Sequence, residues 1–121
     1  MGLVIKMLSM ENAEVEKSKG IIMAEIIEYV PNAVVIKTIL KKTTGNISAI
    51  SLDSGENLNE QELPFDKFIQ IIDGRADILI NGNSHMLETG HAIIIPAHAK
   101  HTIKAIERFK MISTIIKSGY E

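Results

Sequence analysis

From Ala33 onward, apolar and polar residues alternate in short runs separated by turn residues. Residues 34–40 predict a strand, 41–45 a turn and 46–52 its hairpin partner. A polar stretch follows over 53–63, with Gly55 inside it. Residues 65–72 predict the next strand, Asp73-Gly74 a tight turn, and 76–80 another strand closed by Asn81-Gly82-Asn83. Residues 84–87, 92–95, 101–105 and 109–116 complete the set, with Gly90 and Pro96 among the breaks. About eight short strands at such close spacing mean an antiparallel sandwich or barrel. Residues 1–30 read differently. Ser9 is placed to cap a short helix over 10–19 that ends at Gly20. Residues 21–30 fit either a strand or a helical turn, and Pro31 stops them. We therefore divide the chain into an N-terminal extension, 1–32, and a barrel, 33–121. The extension is expected either to be part of the same domain, covering a sheet edge, or to contact a partner subunit.

Composition sharpens this picture. A chain of 121 residues allows one domain, and one of that size buries roughly two-thirds of its unfolded surface. Twenty-two isoleucines, most of them after residue 34, favour pleated, half-buried strands. With no Cys, disulfide scaffolds, thiolate zinc sites and Cys nucleophiles are excluded. A net charge of −2 argues against a nucleic-acid partner bound through a basic face. No Trp and 4% aromatics leave little for a base-stacking platform. The longest apolar runs, such as 92–96, fall far short of the ~20 residues a membrane helix needs. Lys6 breaks both a leader and a myristoylation pattern. The expected location is cytoplasmic, with no membrane partner. Phosphate-cradling glycine motifs are absent, and no Ser-His-Asp order suggests a hydrolase.

Two spacings carry the remaining information. The first is Gly55, five residues, Gln61, one residue, Leu63, three residues, Lys67, six residues, Gly74. The second is Gly90, five residues, Pro96, one residue, His98, two residues, His101, three residues, Ala105. Together they resemble the two motifs of the cupin superfamily, over residues 33–117. The resemblance implies an all-β fold, a jelly-roll barrel (double-stranded β-helix). It also implies one divalent metal held by three His and one Glu. At those places this chain has Gln61, Leu63, Lys67 and His101, so only His101 keeps the ligand type. Leu63 has no lone pair, and Gln61 offers a neutral amide oxygen. A protonated Lys67 about 5 Å from a dication costs roughly 6–7 kcal/mol at an effective dielectric of about 20. The expectation is no cofactor. The alternative is one divalent ion (Mn, Fe, Ni or Zn) on a fallback set of Glu60, Glu62, His98 and His101, with Glu60 and Glu62 turned inward by a one-residue slip or His98 joining His101 at i, i+3.

Lys67 shares its strand face with Ile69 and Ile71, which predicts an inward amine. Such an amine can pair an anionic ligand or act as a base or nucleophile; otherwise it pairs Asp66, Glu60 or Glu62. The expected ligand pocket is Gln61, Leu63, Lys67, Ile69, His101 and Met111. Both faces of 65–72 are partly apolar, Phe68 and Ile72 lying opposite Lys67, so a homodimer through a sheet face is expected. Three functions follow. The first is a small-molecule-binding cupin holding an anionic ligand without the usual metal. The second is a metal-dependent cupin enzyme of dioxygenase, isomerase or decarboxylase type. The third is a structural or regulatory dimer, its barrel filled by Ile69, Ile71, Ile103 and Met111.

Overall fold

The computed structural model describes residues 7–11 by their backbone and residues 14–120 in full. Eight strands occur among them: β1 (Met7–Glu11), β2 (Val34–Lys42), β3 (Gly45–Leu52), β4 (Asn57–Gln61), β5 (Lys67–Ile80), β6 (Asn83–Glu88), β7 (Ala92–Ile95) and β8 (His101–Ile116). A 3₁₀ turn, Met23–Glu25, interrupts the extension.

One ladder organises the rest. β5 and β8 pair antiparallel along their whole length, from Lys67 opposite Ile115 to Ile80 opposite His101. Near its middle the ladder slips register between Ile71 and Asp73 and again between Gly74 and Ala76. Such bulges bend strands and increase their twist. Gly74 has φ +86°, and a Cβ there would lie 2.0 Å from the Arg108 carbonyl oxygen. Only glycine lets the two strands approach at that bend. On one side of the bend, β3 flanks β8 and β7 flanks β5. On the other side, β4 flanks β8 and β6 flanks β5. The result is two layers sharing one folded ribbon, closed as a jelly-roll barrel.

Two departures from the sequence reading share this cause. Asp73-Gly74 is a bulge within one continuous strand rather than a tight turn, and 101–116 is one strand rather than two. The turn residues supply the bend that a barrel needs inside a strand. The helix expected over 10–19 does not form. Residues 10 and 11 continue β1, which runs parallel to β2, and 14–19 contain a turn at 17–18 but no helix. Residues 12 and 13 lie outside the described residues. Pairing with the edge of β2 satisfies backbone groups that a marginal helix would otherwise satisfy alone. Part of the polar stretch, 57–61, is the strand β4.

Two cores result. The inner one packs Leu52, Ile69, Ile71, Ile78, Ile103, Phe109 and Met111 between the layers. The outer one packs Ile26 and Ile27 of the extension on Val35, Ala49 and Ile112. Polar bonds pin the extension there. Tyr29 donates its hydroxyl to Asp73 at 2.5 Å, Lys110 donates Nζ to the Ala24 carbonyl at 2.6 Å, and Ser51 donates to the Glu28 carbonyl at 2.8 Å. Burial, and after it the bond to Asp73, push the Tyr29 phenol up. Elsewhere the outer face stays apolar and exposed, at Phe68, Ile94 and Ile116.

Candidate functional site

The bent ribbon decides which residues can meet. Lys67 begins β5 and His101 begins β8, so they stand at opposite ends of the ladder. On a flat ribbon they would be about 40 Å apart, at roughly 3.3 Å per residue. In the barrel the Lys67 Nζ lies 3.2 Å from the His101 Nε2. The floor lies at the bend, where Leu52 pairs with Phe109. The mouth lies where the two ends of the ribbon come together.

Lys67 faces inward, as its strand neighbours predict. It is 6% exposed, beside Ile69 at 0% and Ile71 at 2%. Its Nζ donates to the Gln61 Oε1 at 3.0 Å. Gln61 is in place because β4 pairs it directly with His101. The His101 Nδ1 lies 3.2 Å from the Ala99 carbonyl oxygen, which can only accept. This assigns the ring proton to Nδ1 and leaves the Nε2 lone pair to accept from Lys67. Burial lowers the His101 pKa, and the nearby Lys67 charge lowers it further, against the Ala99 contact. Burial alone brings the Lys67 pKa down to about 8.

None of the expected carboxylates bonds to Lys67, although Glu62 lines the same cavity as the amine. Asp66 accepts from the Ala97 backbone N–H at 2.8 Å. Glu60 and Glu62 are exposed, and no ion pair to Lys67 occurs among the described residues. His98 is exposed with φ +70°, and its backbone N–H donates to the Leu63 carbonyl at 2.6 Å. The fallback set is therefore not gathered: among the described residues no three His, Asp or Glu side chains come together at metal-binding range.

A cavity of about 510 Å³ opens at the mouth. Of the expected pocket, Gln61, Leu63 and Lys67 line it. Ile69 and Met111 do not; both are 0% exposed and belong to the floor. His101 reaches the cavity only through Lys67, being 3% exposed behind it. The sequence reading missed Asn46, Ser48 and Ser113, which line the cavity on the side of β3 and β8. Their rows are ordered. Lys67 pairs with Ile115 and Ile115 with Asn46; one step deeper, Ile69 pairs with Ser113 and Ser113 with Ser48. Along β3 the inward face thus runs Asn46, Ser48, Ile50, Leu52, from polar mouth to apolar floor. That gradient is visible in the alternation, but polar residues on an alternating strand are ordinarily assigned outward. The Asn46 Oδ1 is buried with no hydrogen-bond partner among the described residues.

The two layers and the bent ribbon match known proteins at the level of fold. A conserved protein of unknown function from Streptococcus pyogenes superimposes with a TM-score of 0.82 at 24% identity, over 87% of this chain and 92% of its own. A cupin superfamily protein from Desulfitobacterium hafniense gives 0.80 at 26%, over 86% and 95%. A cupin 2 conserved barrel domain protein from Leptotrichia buccalis gives 0.75 at 26%, over 78% of this chain and 46% of its own. The chain has the jelly-roll fold of these cupin superfamily neighbours. No protein-family model matches the sequence, and no curated protein does.

In this chain the residues at the positions of the cupin ligands do not fit a divalent metal. Gln61 and His101 do present lone pairs, but both are directed at the Lys67 amine. Leu63 offers no donor atom. An ammonium hydrogen-bonded to two would-be ligands opposes a dication at the same place. No helix among the described residues is long and apolar enough to cross a membrane.

Proposed function

We propose that this cupin binds a small carboxylate-bearing molecule in the mouth cavity through Lys67, without a metal. One observation carries the reading: a buried ammonium whose hydrogen-bond partners, Gln61 Oε1 and His101 Nε2, are both neutral. An ammonium has three donors, so among the described residues one N–H and the whole charge stay unmatched. Buried charges are ordinarily paired. A ligand carboxylate supplies the pair, and Ser48, Ser113 and Asn46 offer polar contacts to the rest of the molecule. The filled floor does not oppose this, because the cavity lies above it. The apolar outer face at Phe68, Ile94 and Ile116 supports the expected homodimer.

Calorimetric titration with a panel of two- to four-carbon carboxylates tests the proposal. Wild type binds at least one of them saturably, and Lys67→Met loses about 1.5–3 kcal/mol of that binding, the range for a hydrogen bond to a charged group. Equal affinity in both proteins overturns it. Elemental analysis of dialysed protein tests the metal-dependent alternative. About one tightly held ion per chain, lost in His101→Ala, replaces the carboxylate reading with that of an unorthodox metalloenzyme.

A further inference from the structure

Resting on that same pocket, we propose that Lys67 condenses through its Nζ with the carbonyl of a small 2-oxo acid to form an imine. The arrangement differs from that of an ordinary lysine in three ways. First, no carboxylate of the described chain holds the amine in its charged form; its two neighbours are neutral acceptors. Second, a base stands beside it. The His101 Nε2 lone pair lies 3.2 Å away, with the opposite ring nitrogen oriented by Ala99. Third, the amine opens on a cavity walled partly by Ile36, Ile50, Leu58 and Ile115. Apolar walls limit the water that hydrolyses an imine. The lowered pKa of the amine agrees with this geometry.

Lys110 shows the contrast. It is also buried, but its Nζ donates to the Ala24 carbonyl at 2.6 Å and sits 4.8 Å above the Tyr29 ring. Its amine is held by the extension on the outer face. Lys67 is the buried amine that faces a space where a second reactant fits.

The step balances without an oxidant or reductant. His101 takes a proton from the ammonium, and the Nζ lone pair attacks the carbonyl carbon. A C–N bond forms and the C=O π pair moves to oxygen, which is protonated. Nitrogen then loses a further proton, the hydroxyl is protonated, and it leaves as water with the C–O electron pair. In sum, one ammonium and one carbonyl give one iminium and one water. The iminium keeps its positive charge beside the ligand carboxylate, so the pairing that holds the ligand survives the condensation. That retention favours a 2-oxo acid over a simple aldehyde.

The test uses pyruvate with sodium cyanoborohydride on the whole protein, followed by peptide mapping. Lactate, which has the carboxylate but no carbonyl, is the matched binding probe. A reduced adduct on Lys67, at least about tenfold above that on any other lysine, supports the proposal. Its absence from Lys67→Met, with no new adduct elsewhere, confirms the site. Adducts spread evenly over exposed lysines overturn it. If pyruvate and lactate raise the melting temperature equally and no adduct forms, condensation is overturned while the carboxylate reading stands. If neither ligand binds and no adduct forms, condensation is overturned, and the carboxylate reading falls with it only when the rest of the two- to four-carbon panel also fails to bind.

Discussion

The floor and the mouth of this barrel are built on the same strands and differ in almost everything else. At the floor, Phe109, Leu52 and Met111 are each 0% exposed and wholly apolar. At the mouth, the same faces of β3 and β8 carry Asn46, Ser48 and Ser113, and β5 contributes Lys67. Four residues along one strand are enough to pass from one regime to the other. The floor gains from removing apolar area from water. The mouth gives up part of that gain, burying an amine and leaving the Asn46 Oδ1 unpaired among the described residues. A fold that needed only stability would extend the floor upward. The contrast therefore separates stability from function by position, and it can be broken from either side.

The largest effect is expected from the floor. Phe109→Ala removes the aromatic ring that fills the bend, in a region with little room to collapse, and should cost about 3–5 kcal/mol. Urea unfolding monitored by circular dichroism reads this directly. Carboxylate affinity of the folded variant should stay within about twofold of wild type, since distant sites act nearly independently. A comparable loss of binding would show that floor and mouth are one unit.

How much of this contrast the sequence displays depends on the element. The strands 46–52 and 92–95 are legible because alternation, Gly and Pro agree there. Lys67 is legible as an inward amine because Ile69 and Ile71 share its face. The 10–19 segment misleads, since its Glu and Lys content favours a helix locally while pairing with the β2 edge is a tertiary gain. Gly74 misleads in another way: a positive φ marks both hairpin turns and bulges, and only the partner strand at Arg108 decides between them. The Lys67–His101 contact joins two ends of one ladder, so no local pattern announces it. Its motif positions do, through the spacing alone.

A smaller effect comes from the mouth and depends on pH. The Lys67 pKa in the folded protein, about 8, lies below its ordinary 10.5. The unfolded chain therefore binds more protons between those values, and stability rises with pH across that window. The gain is up to about 3 kcal/mol, at 1.36 kcal/mol per pKa unit. His101, also lowered by burial, adds a rise of the same sign on the acid side of its ordinary 6.5. Tyr29, raised by burial and Asp73, acts oppositely above about pH 10, because the unfolded phenol ionises first. Lys67→Met isolates the amine. Its urea midpoint should exceed that of wild type near pH 7, with the difference closing as pH approaches 10.5. A constant difference across that range would mean that the amine is not held below its ordinary pKa.

The smallest effect should be the most selective. Ser113 is 5% exposed at the boundary between the two regimes, paired with Ser48 across the ladder and with Ile69 of the floor. Ser113→Ala removes one hydroxyl from the cavity wall and leaves the backbone ladder intact. Stability should change by no more than about 0.5 kcal/mol, as for substitutions that break no buried network. Carboxylate affinity should fall by about 1 kcal/mol, the usual worth of one hydrogen bond to a ligand. Paired measurements of urea midpoint and calorimetric affinity read both quantities on one preparation. A stability loss with unchanged affinity would move Ser113 from the mouth to the floor and shrink the binding surface to the row of Lys67 and Asn46. The predicted opposite, unchanged stability with weakened binding, places the border between core and site at the step from Met111 to Ser113.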